Sequence, residues 1–91
     1  YALFDYDRAV GAAQKEQWAA AGETFKSLVT AHSDRPDVLY DAGVVAFKNE
    51  DFEQAKTLFE SAAQHENTPR MLKEQAYFNK ANTHVKLEQL K

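Results

Sequence analysis

Apolar positions follow a helical period along most of the chain, and two stripes stand out. Trp18, Ala21, Phe25, Leu28 and Val29 are spaced by 3, 4, 3 and 1 positions, which puts them on one face of a helix. Phe52, Ala55, Leu58, Phe59, Ala62 and Ala63 form the second stripe. Polar punctuation separates the stripes. Ser33-Asp34-Arg35-Pro36 predicts a turn in which Asp34 caps and Pro36 sits in a first helical turn, where its missing N–H costs nothing. Asn49-Glu50-Asp51 predicts the next turn, with Asp51 and Gln54 as a capping box. At Glu66-Asn67-Thr68 a third turn is expected, with Thr68 capping and Pro69 opening the following helix. The pattern predicts helices over Phe4 to Gln14, through Trp18 to Val29, over Pro36 to Lys48, from Phe52, and from Pro69 to about Lys86. Leu87-Glu88-Gln89-Leu90 reads as a further turn and the start of a sixth helix. No strand pattern competes, because Val44-Val45 lies inside a helical period.

The stripes belong to an internal repeat. Tyr6, Asp7, Val10, Ala12, Glu16, Ala21, Phe25 and Ser27 recur as Tyr40, Asp41, Val44, Ala46, Glu50, Ala55, Phe59 and Ser61, all at an offset of 34. A fixed period in this range marks stacked helical units, each covering its neighbour's apolar face. It also directs the search for function toward a surface shared between units.

Short helices alternating at this period resemble the tetratricopeptide repeat, whose unit is a helical hairpin. Residues 36–69 match best. Gly43 takes the small close-packing position, Phe52 and Phe59 the aromatics, and Ala55 and Ala62 the small residues of the second helix. Residues 2–35 match through Trp18, Ala21 and Phe25, and depart at Arg8 and Ala9. Tyr77-Phe78-Asn79-Lys80-Ala81-Asn82 looks like the opening of a third unit, with Lys80 and Ala81 as departures. It comes four residues late, so 70–73 reads as an insertion and 74–91 as a partial repeat. Four residues are nearly one turn, and the buried face should hardly rotate. The resemblance implies one all-α domain over 1–91, with antiparallel hairpins stacked as a short right-handed solenoid. The fold is an expectation about architecture and leaves the partner open.

In this family the first helices of successive units line a concave groove. By resemblance, the groove residues are Tyr6, Asp7, Val10 and Ala13, then Tyr40, Asp41, Val44, Phe47 and Lys48, then Phe78, Asn79, Asn82 and Lys86. Aromatics there offer large contact area at low entropy cost. Asp7 and Asp41 would favour a partner bearing Lys, Arg or N–H donors. The alternative is that the aromatics only pack and the Asp residues are solvated. A carboxylate clamp of the chaperone-binding kind is not expected: its matching places read Tyr6, Val10, Asp41, Gln75 and Asn79.

Composition narrows the functional classes. The chain has 91 residues and a net charge of −3, without a basic stripe, which argues against nucleic acid and a polybasic membrane anchor. No run is long and apolar enough to span a bilayer. The sequence contains no cysteine, so thiolate chemistry is excluded. His32, His65 and His84 are scattered and form no ligand pair, and no Gly-rich elbow or phosphate loop is present. An enzyme, a cofactor and a metal are therefore not expected. The chain begins at Tyr1 and stops just after Leu90, which reads as a piece of a longer protein. The expectation is a protein-interaction module holding a peptide or helix in the groove. The alternatives are a scaffold segment that self-associates weakly through the fifth helix (Ala81, Val85, Leu87), or the non-catalytic adaptor part of a longer enzyme or receptor.

Overall fold

The computed structural model describes residues 18–91, which fold into four helices. They are α1 (Trp18–Ala31), α2 (Pro36–Lys48), α3 (Phe52–Gln64) and α4 (Arg70–Gln89). No strand occurs among the described residues. The predicted helix over Phe4 to Gln14 lies outside them, and with it Tyr6, Asp7, Val10 and Ala13. Each described helix packs on the next in chain order, and α2 also touches α4. Turns this short make each helix fold back along its predecessor.

The core lies between the hairpins and is rich in small residues. It comprises Ala21, Phe25 and Leu28 of α1, with Val38, Leu39, Ala42 and Val45 of α2. From α3 come Phe52, Ala55, Leu58, Phe59, Ala62 and Ala63; α4 adds Ala76 and the methyl side of Thr83. Four of the five aromatic and small residues expected in the core are therefore buried. The fifth, Trp18, is only half-buried against it. Small residues allow close approach: a Cβ on Gly43 would lie 2.8 Å from two ring carbons of Phe59.

The α2–α3 turn shows how local chemistry sets this geometry. Glu50 donates its N–H to Phe47 O (3.0 Å), and Asp51 donates to Ala46 O (2.9 Å). That pair of bonds is a Schellman closure of α2. It holds Glu50 at φ 61°, a left-handed position where glycine would be unstrained. Asp51 then begins α3, its carboxylate accepting the Gln54 N–H at 3.4 Å. Only half of the predicted capping box forms, because the Asp51 N–H is already spent on Ala46.

Three boundaries differ from the sequence expectation. Arg35, not Asp34, occupies the N-cap of α2 and makes no side-chain cap bond. Arg35 instead grips Asp37 through two hydrogen bonds of 3.1 and 2.9 Å. Thr68 does not cap α4; its hydroxyl donates to Ala62 O at 2.6 Å, back at the end of α3. Pro69 is the N-cap. Finally, α4 continues through Leu87–Gln89, so no new turn interrupts it after Lys86. Nothing in Leu87-Glu88-Gln89 breaks a helix, and Leu87 continues the half-buried face.

A cleft between α2 and α4

Tyr40 anchors the junction of α2 and α4. Its ring packs on Phe59 at 5.5 Å between centroids, tilted by 55°. Its hydroxyl accepts a 2.7 Å hydrogen bond from Asn79 Nδ2, across 39 positions of sequence. The bond links α4 directly to α2 over the top of α3. The Thr83 hydroxyl, fully buried, donates to Asn79 O at 2.7 Å and so satisfies itself within α4. On α4's other flank Lys80 reaches Glu60 of α3 at 3.0 Å.

Below Tyr40 an open cleft of about 520 Å³ runs between the two helices. Tyr40, Val44, Phe47 and Lys48 line one wall, with Phe59 at the floor. Asn79, Asn82, Val85, Lys86 and Gln89 line the other. Phe47 is steadied by an edge contact to Phe52 at 5.1 Å, and the Lys48 ammonium stands 5.7 Å over the Trp18 ring.

Seven expected groove residues meet in this cleft: Tyr40, Val44, Phe47, Lys48, Asn79, Asn82 and Lys86. Two described ones do not. Phe78 is 67% exposed and absent from the lining, because the 100° step between neighbouring helical residues turns it off the side where Asn79 meets Tyr40. Asp41 is half-buried and also absent from the lining. Burial raises its carboxyl from 3.8 to about 6. Asp41 is therefore not a solvated charge at the rim of the cleft. Three lining residues were missed: Val85, Gln89 and Phe59. The first two were legible, since 82, 85, 86 and 89 step along one helical face.

A second cleft of about 560 Å³ lies across α1, α2 and α3. Small residues, Ala19, Gly22, Ala42 and Ala46, open it, and Glu23, Lys26, Asp51 and Gln54 rim it. Its charges are mixed, with Lys26 3.8 Å from Glu23. Among the described residues no cluster of three or more His, Asp or Glu side chains could hold a metal ion. His65 accepts the Asn67 N–H at 3.1 Å and closes the α3–α4 turn. No helix of the described residues is long and apolar enough to cross a membrane. No protein-family model, curated protein or solved structure gives a significant match to this chain.

Proposed function

We propose that this chain is a protein-interaction module of the tetratricopeptide type, and that it holds a peptide or helix in the α2–α4 cleft. The observation that carries the reading is the convergence of Tyr40, Val44 and Phe47 with Asn79, Asn82 and Val85 on one open, partly apolar surface. Two further features support the repeat assignment: the offset of 34 in sequence, and the packing of each helix on the next in order. The cleft combines aromatic anchors with amide groups able to bond a peptide backbone.

The test is peptide selection on the chain, followed by titration of Tyr40→Ala. A true anchor loses about 2 kcal/mol or more of binding while the fold persists. Selected peptides that bind Tyr40→Ala as tightly as the parent chain would refute the reading.

A self-association reading has one observation in its favour. Outside the cleft lining, α4 exposes Met71 (74%) and Phe78 (67%), with Leu90 (69%) just after it. Sedimentation that shifts with concentration, and that Phe78→Ser abolishes, would favour it.

A further inference from the structure

The charge around the cleft runs opposite to the charge of the chain. The protein carries 14 Asp and Glu against 11 Lys and Arg. Yet among the described residues the α2–α4 cleft is lined by two lysines and no carboxylate. Neither Lys48 nor Lys86 forms an ion pair among the described residues, and Lys48 has only the Trp18 face beneath it. The other lysines of α3 and α4 that lie near carboxylates are engaged: Lys56 with Glu53, Lys80 with Glu60, Lys91 with Glu88. Asp41, which the sequence offered as a counter-charge, is half-buried and sits off the lining. Both lysines lie toward the C-terminal ends of their helices. Asn82 and Gln89 add amide donors beside them.

Resting on the groove reading above, we propose that the cleft takes an acidic peptide segment, with an apolar side chain seated toward Tyr40 and Val44 and carboxylates held between Lys48 and Lys86. The wall from Tyr40 to Lys48 spans nine residues of helix, roughly 12 Å from first to last. An extended peptide rises about 3.3 Å per residue, so about four residues fit that length. One apolar residue followed by one or two acids satisfies it. This arrangement differs from the clamp places considered in the sequence, none of which carries a cation here. The net charge of −3 gives such a peptide no general attraction to the rest of the protein.

Random peptides displayed on phage and selected on this chain provide the probe. The expected enrichment is Asp or Glu next to an aromatic or aliphatic residue. Lys48→Gln and Lys86→Gln should each weaken the selected peptide by roughly 3- to 10-fold, and added salt should weaken it further. Lys73→Gln, on α4 but outside the cleft, should change nothing. The double variant Lys48→Glu/Lys86→Glu should select basic peptides instead, and its melting curve should show that the fold is kept. Enrichment of neutral or basic peptides that still lose binding in Tyr40→Ala overturns the charge assignment and leaves the groove reading standing. Peptides insensitive to Tyr40 and to both lysines overturn both, as does a failure to enrich any peptide. A chain that dimerises with its cleft residues covered shows a second copy as the occupant, and overturns the acidic-peptide proposal.

Discussion

Gly43→Ala tests the packing of α2 on α3 more sharply than any truncation, because two effects of similar size oppose each other. In an isolated helix interior the change stabilises by about 0.8–1 kcal/mol, since alanine loses less backbone freedom than glycine. In this protein the new methyl would meet Phe59 Cδ1 and Cε1 at 2.8 Å and Cζ at 3.2 Å. Phe59 is 1% exposed and its ring rests against Tyr40, so it has little room to turn. Overpacking of this kind costs about 1–3 kcal/mol. The net expectation is destabilisation by up to about 2 kcal/mol, a fall in Tm of roughly 4–8 °C per kcal/mol for a chain of this size. Urea titration followed by circular dichroism measures it, with the slope unchanged. The decisive comparison is the same substitution in a Phe59→Leu background. Without the ring the clash is gone and only the helix preference remains, so Gly43→Ala should become stabilising there. Gly22→Ala is the parallel control. Its methyl would meet the Asn49 amide at 2.8 Å, a side-chain tip that can move away at the cost of its 2.7 Å bond to Trp18 O. It should be nearly neutral. If Gly43→Ala stabilises the parent chain, or if the sign does not reverse without the ring, the close approach is wrong.

Other substitutions probe separate parts of the structure. Glu50→Gly should stabilise by about 1 kcal/mol in thermal melts, because it relieves a left-handed residue at the end of α2. Asp41 should give a pH signature. Its folded pKa of about 6 lies above the ordinary 3.8, so the native state holds the proton more tightly, and stability should fall as pH rises from about 4 to 6. Asp41→Asn should remove that slope and raise stability at pH 7 by roughly 1–2 kcal/mol after allowance for solvent screening. Tyr40→Phe should cost about 1 kcal/mol by breaking the bond from Asn79, with amide exchange rising around Asn79 in the middle of α4 more than elsewhere.

Local periodicity made the helices legible, and long-range geometry accounts for what was missed. Pro36 to Lys48 was read to the residue because proline and an Asn-Glu-Asp turn bracket it. Asp51 caps as expected, but Asp34 and Thr68 do not, since a capping group is chosen by rotamer and competition: Thr68 had a better acceptor in Ala62 O, and Arg35 took the N-cap of α2. The groove residues came from the family resemblance, and Tyr40, Val44 and Phe47 do meet in one cleft. Phe78 came from the same resemblance and lies off the lining, where its neighbour Asn79 bonds Tyr40 instead. Lys48 and Lys86 were expected in the groove from the sequence; that Asp41 lies off its lining was not, because burial depends on how the helices pack.

Each described helix leans on its immediate neighbour, and the longest side-chain bond, Asn79 to Tyr40, reaches only from α4 back to α2. The described helices should therefore yield to a stretching force in order rather than all at once. Load applied at Lys91 would peel α4 first, opposed chiefly by Asn79–Tyr40, Lys80–Glu60 and the contacts of Ala76. The remaining helices would keep their own contacts as α4 left. Extension of the described helices should thus come in steps of roughly one helix, and re-formation on release would draw on short-range contacts.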